Sequence, residues 1–230
     1  MLIIFNYEGE GDKEMIDALV YIVFAIIEGL IIVFFSFGLF RIDVRDYWKE
    51  ILVTVSTISA ATYYYSQNEV LSQYSPFLNI IALFVAMVIV FRISLLYSLY
   101  ISVTGFAALI FIQFALTTVT NPIFNLSLEE INSIDWLRYS FQATSDLLLL
   151  AVSMILRKKR LWFTSVPYSS DLSFKLSKSN LLVLLSSVLA IILSSATLKL
   201  DNVLAGTMLS LICLSTLIYI GIQREKSGEI

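Results

Sequence analysis

Apolar residues fall into seven runs separated by short polar segments, at 15–40, 51–65, 76–91, 93–119, 137–156, 181–197 and 203–222. A helix that crosses a bilayer needs about 20 apolar residues, with a range of roughly 17–25. The pattern therefore predicts an all-α, polytopic membrane bundle of seven transmembrane helices, or six if one short run does not cross. The whole chain, 1–230, reads as a single integral membrane domain. The second and third runs are short. Tyr47, Trp48 and the Tyr63-Tyr64-Tyr65 cluster flank them and suit headgroup depth, where aromatic residues sit well. Residues 1–14, MLIIFNYEGEGDKE, lack the basic start, apolar middle and small-residue cleavage site of a secretory signal. They read as a short, acidic, exposed N-terminal segment, with MLIIF lying in the interface.

The basic residues orient these runs. With the N-terminus outside, the inner segments hold Arg41, Arg45 and Lys49, then Arg92, then Arg157, Lys158, Lys159, Arg160, Lys175 and Lys178, and last Arg224 and Lys226. The outer segments hold only Lys13, Arg138 and Lys199. The positive-inside rule then favours seven spans, N-terminus outside and C-terminus cytoplasmic. Two loops are longer than the rest. The outer one, 120–136, carries Glu129, Glu130 and Asp135, and the inner one, 157–180, opens with the sequence RKKR. No internal repeat or inverted duplication stands out, which weighs against the common transporter plans.

Composition agrees with the bilayer as solvent. Of 230 residues 58% are apolar and 14% charged, against about 25% charged in an ordinary soluble domain. A net charge of −3 gives no reason to expect nucleic acid as a partner. The histidine count of zero removes Ser-His-Asp triads, Cys-His pairs and His-ligated zinc or haem. The single cysteine, Cys213, lies in an apolar run and reads as a packing residue. The acids show no metal-ligand spacing and the glycines no phosphate-cradling loop, so no metal and no cofactor are expected. Ser56, Thr57, Ser59, Ser186, Ser187, Ser194 and Ser195 lie in the second and sixth runs, where helix packing explains them better than catalysis does. The expectation is a protein that is not an enzyme.

Four polar residues inside the apolar runs are the candidate chemistry. Glu28 lies 13 residues after Met15, roughly 20 Å down the first helix. An ionised side chain at such depth costs about 2.5–3.5 kcal/mol on insertion scales, so Glu28 should face the bundle interior. It serves either as a ligand contact, proton site or conformational switch, or as an acid bonded to a neighbouring helix. Asp146 lies in the outer half of the fifth run, with Gln142 four residues earlier on the same face, and Gln113 stands at a similar depth in the fourth. Glu28, Gln113, Gln142 and Asp146 would line a ligand pocket open to the outside; the alternative is hydrogen bonding between helices. Arg138 is the nearest outer cation to Asp146. Arg92 and the cluster Arg157, Lys158, Lys159 and Arg160 read as inner-face anchors that also attract anionic lipid.

The order of these features resembles the membrane sensor region of accessory-gene-regulator type, GHKL-class histidine kinases of Gram-positive bacteria. The residues that carry the resemblance are IIEGL around Glu28, FRIDVRDYWKE, FRISLLYSLYISVTG, LSLEEINSIDWLRYSF and LLLLAVSMILRKKRLWFTSVP, so it spans roughly 28–167. It implies a quorum-sensing-type receptor for a secreted peptide or another envelope signal, in a bacterial plasma membrane. The family's sensor is joined to a kinase. Here only eight residues, QREKSGEI, follow the last run, with no phosphoacceptor histidine. The expectation is a non-enzymatic signalling receptor or regulator that acts through a membrane or cytoplasmic partner, or as a homo-oligomer, with a peptide or small-molecule ligand. The alternatives are a transporter or a membrane subunit of one, and a structural or immunity-type membrane protein. An intramembrane acid-pair enzyme comes last, because Glu28 and Asp146 read as lying at different depths.

Overall fold

The structure is a computed structural model that describes residues 10–72, 74–124, 131, 134–163, 178–197 and 202–227. Among the described residues eight helices run α1 Glu10–Leu39, α2 Trp48–Ser66, α3 Glu69–Ser72, α4 Ser75–Ile89, α5 Leu95–Phe124, α6 Asp135–Lys158, α7 Lys178–Thr197 and α8 Val203–Ser227. No strand occurs among the described residues. Each apolar run has become one helix, and α3 is an extra single turn, started by Asn68 Oδ1, which accepts from the amides of Val70 at 3.0 Å and Leu71 at 3.2 Å.

The helix ends differ from the run ends. α1 starts at Glu10, inside the segment read as an exposed lead-in. α5 extends past Val119 and through Pro122 to Phe124, shortening the outer loop. In α6, Asp135 sits in the first turn and Arg157 and Lys158 in the last, both favourable to the dipole. The rest of the N-terminal segment, Glu129 and Glu130 of the outer loop, Lys175 of the inner loop, and Lys199 lie outside the described residues.

Contacts fix the relative directions of the helices. α1 and α2 are antiparallel, with Tyr21 against Tyr63 at 5.6 Å between ring centroids and Gly29 against Val55 nearer the other end. Thr62 Oγ1 donates to Asn79 Oδ1 at 2.8 Å across the α2–α4 hairpin. α5 and α8 are antiparallel, joined by Thr118 and Thr207 at one end and by the Tyr100 hydroxyl on the Leu217 carbonyl towards the other. α7 and α8 are antiparallel through Asn180 with Arg224 and Ala190 with Cys213. α1 and α6 run parallel: Phe24 stacks on Tyr139 at 4.6 Å, Arg157 lies over Phe34 at 4.5 Å, and the Phe163 amide donates to the Leu39 carbonyl at 2.7 Å.

α5 is the hub, touching α1, α4, α6, α7 and α8. In its most apolar stretch 72% of residues are buried, against 22%, 22% and 28% in α1, α6 and α8. The burial pattern inverts that of a water-soluble bundle. Met15, Leu19, Val23, Leu147, Met154, Leu204, Met208 and Ile212 are exposed, while Ser36, Ser98, Ser102, Thr104, Ser145 and Ser187 are fully enclosed. Small side chains inside let helices approach closely when the outer solvent is itself apolar. At the α1–α5 crossing a Cβ on Gly105 would fall on Ser36 Oγ and within 2.9 Å of Ile32 Cγ2, so the closeness there requires glycine. Four helices (α1, α5, α6 and α8) are long and apolar enough to cross a membrane, and α4 and α7 are shorter apolar helices. All of this fits an integral membrane protein.

The end of the bundle where α1, α4 and α6 finish is basic. Each of these helices is followed by an arginine in the left-handed region: Arg41 at φ 55°, Arg92 at φ 54° and Arg160 at φ 55°. The Ile42 amide donates to the Phe37 carbonyl at 2.8 Å, and that of Leu161 to Leu156 at 2.9 Å, as in helix stops that usually carry glycine. Phe40 and Ile42 on either side of Arg41, and Phe91 and Ile93 on either side of Arg92, are buried, so the arginines between them point outward.

Candidate functional site

The site forms where α1, α5 and α6 meet. Spacings of three and four residues bring Glu28, Ile32 and Ser36 of α1 onto one stripe, Ser102, Gly105, Leu109 and Gln113 of α5 onto a second, and Gln142, Asp146, Leu149, Ser153 and Arg157 of α6 onto a third. The contacts at Gly105 and Gln142 turn the second and third stripes towards α1.

The four sequence candidates come together here. Gln142 Nε2 donates to Glu28 Oε2 at 2.5 Å, and Gln113 lies within hydrogen-bonding reach of the same carboxyl. Asp146 stands one turn further along α6, close enough for the Glu28 charge to act on it. Glu28, Gln113 and Gln142 are half-buried. Asp146 is only 2% exposed, and both of its carboxyl oxygens are enclosed without a hydrogen-bond partner. Such a group is unusual, because buried polar atoms are nearly always bonded. The Ser145 hydroxyl beside it turns back to the Gln142 carbonyl at 2.8 Å.

The nearest outer cation, Arg138, does not pair with Asp146. Arg138 bonds Asp135 at 2.9 Å and lies over the Tyr139 ring at 4.9 Å, at the exposed start of α6. An arginine on an exposed first turn keeps its hydration beside a neighbouring acid and avoids the desolvation cost of entering the bundle. Arg157 sits eleven residues beyond Asp146, about 16 Å along the helix, over Phe34. Among the described residues, no ion pair reaches Glu28 or Asp146.

Sequence reasoning missed three features. An aromatic collar of Tyr21, Phe24, Tyr63 and Tyr139 sits between Glu28 and the acidic end. Its signal was present as Tyr21 and Phe24, seven and four residues before Glu28, on the same face. The hydroxyls of Ser36 and Ser102, on the basic side of Asp146, are also buried without a partner. Arg224, counted only as an inner basic residue, is 8% exposed, donates to Asn180 Oδ1 at 2.7 Å and lies over Tyr97 at 4.8 Å, tying α8 to α7 and α5. The predicted anchors Arg92, Lys158, Lys159 and Arg160 are exposed at the basic end, and Arg157 is half-buried there.

Chemically the site offers carboxyl and amide oxygens and no fixed positive charge, so it accepts hydrogen bonds and favours cations. Among the described residues no group of three or more acidic or thiol side chains could hold a metal ion. Fold and site together define a helical bundle, apolar on its outside, that encloses an acid pair between three helices. No family model matches the chain, and neither the curated proteins nor the solved structures give a match.

Proposed function

We propose that the chain is a seven-span receptor or regulator of a bacterial plasma membrane, with its acidic end outside and its basic end in the cytoplasm. The spans would be α1, α2, α4, α5, α6, α7 and α8. Three facts support this path: neighbouring helices alternate in direction, α1 and α6 run parallel as first and fifth spans must, and the described inner-side arginines share one end. A ligand would enter past the aromatic collar and present a hydrogen-bond donor to Glu28, Gln113, Gln142 and Asp146. The observation that carries the reading is the buried Asp146 carboxyl without a partner. A site left incomplete in this way favours one helix arrangement when empty and another when filled, and a ligand acts by that difference. The resemblance to sensor regions of histidine kinases points the same way, with the signal passed to a separate partner at the basic end.

Spin labels at Asp46→Cys and Leu161→Cys, in a Cys213→Ser background, measure the spacing of the α1 and α6 ends in proteoliposomes. Asp146→Asn and Glu28→Gln remove the charge that a donor would satisfy, and each should shift the distance distribution from that of the otherwise unchanged protein. Superimposable distributions in all three remove the receptor reading. A second reading, a proton- or cation-coupled carrier, draws on the partnerless hydroxyls of Ser36 and Ser102, which continue the polar seam towards the basic end. Uptake driven by a pH gradient and lost in Glu28→Gln would favour it.

A further inference from the structure

We infer that the α1–α5–α6 junction holds a compact monovalent cation against Asp146, either an alkali ion or the protonated primary amine of a ligand. The inference rests on the reading of this junction as a binding site and names what it takes.

The argument begins with what Asp146 lacks. Its two oxygens are enclosed and bonded to nothing, and no lysine or arginine among the described residues pairs with it. An ionised carboxyl does not stay buried without a counter-charge. The groups at the same junction carry oxygens of the kind alkali ions and ammonium groups accept: the Glu28 carboxyl, which acts on Asp146, and the amides of Gln113 and Gln142, which meet at Glu28 one turn away. Because Gln142 gives its Nε2 to Glu28, its amide oxygen remains an acceptor. Carboxyl and neutral amide oxygens suit a single positive charge, and hard oxygen ligands suit an alkali ion rather than a soft metal. Size follows from enclosure. Asp146 is 2% exposed and Leu149, one turn along the same helix, is fully buried, which disfavours a bulky cation. The approach is consistent as well. Tyr21, Phe24, Tyr63 and Tyr139 line the acidic side, and aromatic faces attract cations.

The test is thermal unfolding of the whole purified protein in uncharged detergent, at constant pH and ionic strength. Choline chloride is replaced stepwise by lithium, sodium, potassium or methylammonium chloride. A cation that binds the folded state raises the midpoint with its concentration. The midpoint should rise by several degrees with at least one of these small cations. Asp146→Asn should abolish the rise, and Glu28→Gln should raise the half-effective concentration at least tenfold. A response to alkali ions identifies an inorganic ion; a response confined to methylammonium identifies a ligand's amine. No response beyond choline overturns the proposal, as does a response that persists in Asp146→Asn. Should Asp146→Asn not fold, equilibrium binding of radioactive sodium and of labelled methylamine to the unaltered protein replaces it, and binding of neither overturns the proposal. No cation effect in the unaltered protein alongside an intact shift in label spacing sinks the cation and leaves the receptor; a cation effect without any shift does the reverse.

Discussion

At the scale of single residues, the molecule places charge where backbone geometry would choose glycine. Arg41, Arg92 and Arg160 each adopt a positive φ, a conformation that costs an L-residue with a Cβ roughly 1–2 kcal/mol. The basic charge beside a helix C-terminus offsets part of that. Arg41→Gly should therefore raise stability in uncharged detergent by about 1 kcal/mol, whereas Arg41→Ala should not, as measured by denaturant unfolding. A loss of stability in Arg41→Gly would mean that the guanidinium, over the Trp162 ring at 5.7 Å, holds the turn together. The site residues were legible in the sequence because a carboxyl or amide within an apolar run is conspicuous. The arginine turns were not, although Phe-Arg-Ile occurs at both 40–42 and 91–93. Three residues are too short a match to stand out, and the conformation that makes them alike is a property of the backbone. Arg138, the outer cation nearest to Asp146 along the helix, pairs instead with the closer acid, Asp135.

At the scale of elements, the helices themselves could be read from the apolar runs, since hydrophobic length controls where a helix forms. Their ends and partners could not. α1 begins earlier than its run, and α5 outlasts its run through Pro122. Which helices touch depends on small residues that permit approach, such as Gly105 against Ser36 and Gly38 against Ser153. The parallel pairing of α1 with α6 is the arrangement on which the site depends. A Cβ at Gly38 would lie 3.3 Å from Ser153 Oγ. The pair Gly38→Cys and Ser153→Cys, in a Cys213→Ser background, should accordingly form a disulfide on mild oxidation, seen as a mobility shift reversed by reductant. Failure of this pair to close would undo the parallel alignment and the site with it.

At the scale of the whole molecule, the all-helical, outwardly apolar bundle was foreseeable from composition, whereas the central position of α5 was not. α5 is no more apolar than α1; it is central because its serines and threonines, Ser98, Ser102, Thr104 and Thr117, are small enough to be surrounded. The proposed orientation makes a direct demand. Single cysteines at Trp136, on the acidic end, and Leu161, on the basic end, are exposed positions. In intact cells a membrane-impermeant thiol reagent should label Trp136→Cys and spare Leu161→Cys until the membrane is opened. Equal labelling of both would place the two ends in one compartment.

The bond between Gln142 and Glu28 also imposes an order on manufacture. The two residues are 114 positions apart, so at roughly 5–20 residues per second a ribosome delivers the second some 6–23 s after the first. Through that interval the earliest helix carries an acid with its eventual companion still unmade, amid hydrocarbon or within the insertion machinery. The acid-bearing seam between α1 and α6 therefore cannot close until five of the bundle's long helices have been made.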